Sequence, residues 1–130
     1  MFLKISRGLF VVTALCSFVN GIAYLFFPVA SLALLGVQPD GYGVVITRYY
    51  GACALGWGWL LWWASKSNSI AVLRAVTGSI LLVLGISAGV GCQALRSGLF
   101  NQVGGIMVIT DGMLAIFALL SLILVSRKSH

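Results

Sequence analysis

Residues 102–125 read QVGGIMVITDGMLAIFALLSLILV, and apart from Asp111 no ionisable side chain interrupts them. The hydrocarbon core of a bilayer takes about 20 predominantly apolar residues as an α-helix, so this stretch reads as a membrane span. Three further stretches, residues 9–27, 44–64 and 71–91, meet the same test with few or no charges. Together the four use most of a 130-residue chain that is 61% hydrophobic and 8% charged, with a mean hydropathy of +1.10. Those values exclude a water-soluble domain of this size. The expected fold is all-α: an integral membrane four-helix bundle, forming a single transmembrane domain over residues 1–130.

The net charge of +6 and pI of 9.7 do not make the chain a nucleic-acid binder, because its basic residues are not gathered on one solvated face. They sit at helix ends. Lys4 and Arg7 precede the first span, Lys66 and Arg74 flank the link between the second and third, and Arg127 and Lys128 follow the fourth. The opposite side carries only Arg96, besides Asp40. This imbalance is the positive-inside pattern and places the N-terminus, the 65–70 link and the C-terminus in the cytoplasm. Lys4 and Arg7 before an apolar run resemble a signal peptide; the expectation is that the segment is retained as the first span. Thr13, Ala14 and Leu15 do not form the Leu-small-small pattern that lipidation of Cys16 would need. Cys16, Cys53 and Cys92 are odd in number with no CxxC spacing, which indicates neither a disulfide framework nor a metal cluster. They read as buried small apolar thiols.

Between the first two spans, Pro28 reads as a helix stop. The half-apolar run after it reads as a short interfacial helix on the outer surface, and Gln38-Pro39-Asp40-Gly41 as the turn proper. The polar link Ser65–Ser69 is short enough to make the second and third spans antiparallel neighbours. A second outer loop is expected at about 92–101. Tyr24, Phe26, Phe27, Tyr42, Tyr49 and Tyr50 gather near the outer interface and Trp62 and Trp63 near the inner one, with Trp57 and Trp59 deeper, as packing or lipid-facing bulk.

Sixteen glycines are many for this length. In lipid, helices associate through close backbone approach, so small residues at helical spacing mark contact faces. Gly78, Gly85 and Gly89 share one side of the third span. Gly51, Gly56 and Gly58, with Ala52 and Leu55, leave a thin strip on the second, and Gly104 and Gly112 serve the fourth. Packing within the bundle accounts for such faces; more of them than four helices can use on each other would mean a partner protein.

Asp111 falls near mid-membrane, where a bare carboxylate costs several kcal/mol. At helical spacing it shares a stripe with Gly104, Val108, Ala115 and Ala118, and so faces other helices. Asn20 shares a stripe with Thr13, Ser17 and Tyr24, and Arg48 lies about one turn inside the outer end of the second span. At 1.5 Å per residue the depths of Asn20, Arg48 and Asp111 differ by about 7 Å or less, so the three are candidates for one polar, ligand-binding cluster in the outer half of the membrane. The alternative is structural: Arg48 snorkels to the interface, while Asp111 is protonated or takes a hydrogen bond from a neighbouring helix. Gly89, Gly91 and Ala94 match GxGxxA, but a dinucleotide fingerprint needs a strand-turn-helix in water. There is no nucleophile with a base, no paired carboxylates and no metal-ligand spacing, so neither a catalytic residue nor a cofactor is assigned.

Asn20-Gly21 followed by Phe26-Phe27-Pro28, then Leu34-Leu35-Gly36-Val37 before a Pro/Gly turn, and Arg48-Tyr49-Tyr50-Gly51-Ala52 leading to Leu55-Gly56-Trp57-Gly58 resemble the DoxX-like superfamily of small four-helix membrane proteins. The resemblance covers roughly the first half of the chain. It implies a multi-pass protein of the bacterial inner membrane, with Arg48 at a recurrent outer-leaflet basic position and relatives that serve quinone-linked or other membrane redox assemblies. The function expected first is a non-catalytic accessory or scaffold subunit, docked by its glycine faces on other membrane subunits or on copies of itself and surrounded by lipid. The alternatives are binding or transport of a small amphiphilic ligand (quinone, lipid or anion) at Asn20, Arg48 and Asp111, and a redox subunit using Cys53 or Cys92.

Overall fold

A computed structural model describes residues 2–126, with side chains over 4–123. Among the described residues there are five helices and no strand: α1 (Phe2–Phe26), α2 (Pro28–Leu34), α3 (Gly41–Ala64), α4 (Ile70–Arg96) and α5 (Gln102–Ser126). Arg127, Lys128 and His130 lie outside them. The four long helices overrun the apolar stretches that mark them, because hydropathy ends where charges begin whereas backbone hydrogen bonding ends at caps. Cys92 therefore belongs to α4 and not to the second loop.

Helix ends are set by specific residues. Pro28 opens α2, where its missing N–H costs nothing. Gly36, at φ +83°, closes it: Gly36 N–H donates to Ala33 O and Val37 N–H to Leu32 O, the paired bonds of a Schellman ending. The chain thus reverses at Gly36 and not over Gln38–Gly41. Asp40 instead caps α3, accepting from Gly43 N–H, and Gly41 is that helix's first residue. Gly98, at φ +70°, ends α4 in the same way, with Gly98 N–H on Leu95 O and Leu99 N–H on Ala94 O.

Two close helix pairs result, α1 with α3 and α4 with α5. In the first, Gly21 faces Leu55 and Gly58 faces Ala14; in the second, Gly91 faces Val108 and Gly105 faces Leu95. Both pairs are therefore antiparallel. They meet mainly through α1 and α5. The short 65–69 link does not make α3 and α4 close neighbours, since they touch only sparingly. α3 makes its close approach to α1 at Gly51 and Gly58, and α4 to α5 at Gly91.

Nearest the link the bundle is solid. Leu9, Phe10, Ala14, Leu61, Ala64, Leu73, Ile80 and Ala118 form the buried core. Arg7 ties this end together, donating through Nη2 to Ser67 O and to Asn68 Oδ1. At the other end Asn101 joins the loops: its backbone N–H donates to Leu35 O and its Nδ2 to Leu34 O, 2.9 Å away.

Glycine use differs from expectation. Gly51 does meet α1: a Cβ there would stand 2.6 Å from Leu25 N and 2.9 Å from Gly21 O. At Gly104 the nearest atoms belong to Phe100, its near neighbour in sequence. A Cβ at Gly56, Gly78, Gly85, Gly89 or Gly112 would find nothing within 4 Å. Periodicity locates a small-residue face but not whether anything covers it. The close approaches are at Gly21, Gly51, Gly58 and Gly91.

Among the described residues, α1, α4 and α5 are long and apolar enough to cross a membrane. At 24 residues α3 is as long, but it mixes Arg48, three tyrosines and four tryptophans into its apolar run. Large apolar side chains are exposed along all four long helices, among them Val19, Ile46, Leu82, Ile86, Ile109 and Ile116. Continuous apolar exposure of this kind marks a surface that does not face water.

Candidate functional site

Beyond the packed core the two pairs part around a cavity of about 410 Å³. All four long helices line it. α1 contributes Thr13, Cys16, Ser17 and Asn20, one stripe at spacings of three and four residues. α3 contributes Tyr50, Cys53, Ala54 and Trp57; α4 contributes Val83, Leu84 and Ser87; α5 contributes Met107, Thr110, Asp111 and Leu114, with Ile106 at the edge. Tyr24 closes the end toward α2. Its ring lies 5.5 Å from that of Tyr50, and its hydroxyl points at Met107 Sδ, 3.8 Å away.

The polar atoms facing this space are short of partners. Thr13 is 3% exposed, and its Oγ1 is buried with no hydrogen bond. Among the described residues neither the Asn20 amide nor the Asp111 carboxylate makes a side-chain hydrogen bond or an ion pair, although both are half-buried. Thr110 is satisfied, its Oγ1 donating to Ile106 O at 2.9 Å. A buried polar group without a bond costs about 1–3 kcal/mol. Thr13 Oγ1 is such a group in the cavity wall, and Asn20 and Asp111 line the same space with their side-chain polar atoms available to a polar head. Ser6 and Ser121 also have buried hydroxyls without partners, but they sit near the packed end, away from this space.

Asn20 and Asp111 are thus brought to one cavity, and Arg48 is not. It is exposed and lines a separate shallow groove with Leu25, Val45, Tyr49 and Ala52. The reason is angular: Arg48 is nine residues from Trp57, two and a half turns at 3.6 residues per turn, so the two project from opposite sides of α3. Depth alone put Arg48 beside Asp111. The azimuth, readable from Tyr50, Cys53, Ala54 and Trp57, would have separated them.

The cysteines are exposed and not buried, with Cys16 and Cys53 on the cavity wall and Cys92 elsewhere. A small side chain marks a gap in packing as readily as a contact. Of the two deeper tryptophans Trp57 lines the cavity, whereas Trp59 is 67% exposed on the outside.

Fold and site together define the class: among the described residues, an all-helical protein with three helices fit to cross a membrane and, between its helix pairs, a mainly apolar cavity that carries a few polar groups. Protein-family models, curated proteins and solved structures give no match to the chain.

Proposed function

We propose that the chain is a multi-pass protein of the bacterial inner membrane, with α3 as a fourth span and both ends in the cytoplasm, and that it binds a small amphiphilic molecule in the cavity between its helix pairs. One observation carries this reading. A half-open cavity lined largely by apolar and aromatic side chains presents a few polar groups without partners, the arrangement by which proteins hold small molecules. Of the quinone, lipid and anion expected from sequence, the anion fits worst, since among the described residues the lining has Asp111 and no Lys, Arg or His.

The native thiols provide the test. In neutral detergent, a bound amphiphile should slow maleimide modification of Cys16 and Cys53 and leave Cys92 unaffected. If none of a panel of amphiphiles changes the two rates relative to Cys92, the reading fails.

A second reading, the accessory or scaffold subunit, rests on α4. Gly78, Gly85 and Gly89 are bare of any neighbour, a small-residue face of the kind that packs against another helix in lipid. Native mass measurement after mild extraction tests it, and a monomer free of partners would count against it. Membership of the DoxX-like superfamily belongs with these proposals and rests on the motifs of the first half alone.

A further inference from the structure

The polar wall of the cavity has a sign. Among the described residues Asp111 is its one ionisable group besides Tyr50 and the two thiols, and no Lys, Arg or His lines it. The basic residue expected to neutralise Asp111, Arg48, projects from the opposite side of α3. A carboxylate held within a low-dielectric span needs a counter-charge or a proton, and the described residues offer no counter-charge at the site. Thr13, 3% exposed, lies in the same wall, and its buried Oγ1 has no hydrogen-bond partner. Asn20, seven residues further along α1, lines the same space and offers an amide carbonyl oxygen. Tyr50 and Trp57 add aromatic surface, which attracts cations through the ring quadrupole and does so best for Trp. Access is open as well, because the sparse contact between α3 and α4 leaves that side of the cavity the least covered.

We infer that the ligand of this cavity is a lipophilic organic cation, its charged centre set against Asp111 between Tyr50 and Trp57 and its apolar body against Val83, Leu84 and Leu114. The inference rests on the cavity's being a binding site and adds the sign of the charge.

Tetraphenylphosphonium and tetraphenylborate separate charge from shape, being close in size and opposite in sign; triphenylphosphine oxide supplies an uncharged analogue. With purified protein in neutral detergent, the phosphonium should bind in calorimetry and shield Cys16 and Cys53 from maleimide, and the borate and the oxide should do neither. Asp111→Asn should weaken phosphonium binding by roughly thirtyfold or more, the loss expected when one partner of a partly desolvated charge pair is neutralised. Asp111→Glu should retain most of it, and Arg48→Gln should leave it unchanged. If the borate or the oxide shields the thiols as well as the phosphonium does, the cation assignment is wrong and the cavity remains a site for amphiphiles. If none of the three shields them, the binding reading falls and this inference with it. Should Asp111→Asn fail to fold, the charge series on the wild-type protein still decides.

Discussion

Gly51 should tolerate no side chain, whereas Gly85 should accept one. An alanine methyl at position 51 would stand 2.6 Å from Leu25 N, 2.9 Å from Gly21 O and 3.0 Å from Tyr24 C. Ordinary carbon contact begins at about 3.4 Å, so the shortfall at Leu25 N is about 0.8 Å (3.4 − 2.6). All three obstacles are backbone atoms, which no rotamer change can move aside, and α1 must shift off α3 as a body. Overpacking of this kind costs about 1–3 kcal/mol, against a helix-propensity gain of about 1 kcal/mol for Gly→Ala. With unyielding backbone as every obstacle the cost falls at the upper end of that range, about 2–3 kcal/mol, and the net for Gly51→Ala is a loss of roughly 1–2 kcal/mol. Gly85→Ala meets nothing within 4 Å and keeps only the gain. Unfolding by sodium dodecyl sulfate in mixed micelles measures the difference, read through the tryptophans, all four of which lie on α3. The expected midpoints fall on opposite sides of the wild type. A Gly51→Ala protein as stable as wild type would refute the close α1–α3 contact on which the cavity's position depends.

Three further outcomes follow from the same geometry. Asn101→Ala removes both the bond to Leu34 O and the α5 cap, where Oδ1 accepts from Val103 and Gly104 N–H at 3.0 and 3.2 Å; it should cost about 1–2 kcal/mol in the same titration, and Asn101→Asp, which keeps the cap, about half as much. Gly91→Ala forces its methyl onto Val108, a side chain that can be cut back, so Val108→Ala should rescue it with a coupling of about 1 kcal/mol in a double-mutant cycle. For orientation, reporter fusions at residue 130 and within the 65–69 link should both be active only as cytoplasmic reporters, and a reporter at position 38 only as an external one; any other pattern overturns the ends-inside topology.

How much of this was legible beforehand depended on the kind of signal. Helix number and order came from length and hydropathy, which bilayer thickness turns into a count, and α2 from Pro28 and the apolar run after it. The stripe Thr13-Ser17-Asn20 was readable from a 3.6-residue period and does face the cavity. Three things escaped. Helix ends were set by Gly36, Gly98 and Asn101, whose roles depend on backbone angle and distant carbonyls. Partner choice among the helices, α1 with α3 and not α3 with α4, depends on which small faces meet, and a single sequence does not encode that pairing locally. Arg48 was joined to Asp111 by depth without its azimuth.

The place of Asp111 bears on whether it binds or merely holds helices together. Holding helices requires a bond: an intramembrane carboxylate that serves packing hydrogen-bonds across to another helix and draws the two close. Asp111 makes no such bond among the described residues. It lies where α5 stands back from α3, against a cavity wall. The close contacts are made elsewhere, by Gly21, Gly51, Gly58 and Gly91, and the buried core is apolar. A packing role would leave Asp111 dispensable once a group of similar shape replaced it, so Asp111→Asn would fold and bind as before. A binding role makes its charge the part that matters, while the fold, resting on glycines and a core nearer the other end, survives the change. The two roles therefore differ in which property Asp111→Asn loses, and the separation of core from cavity along the bundle is what allows one substitution to tell them apart.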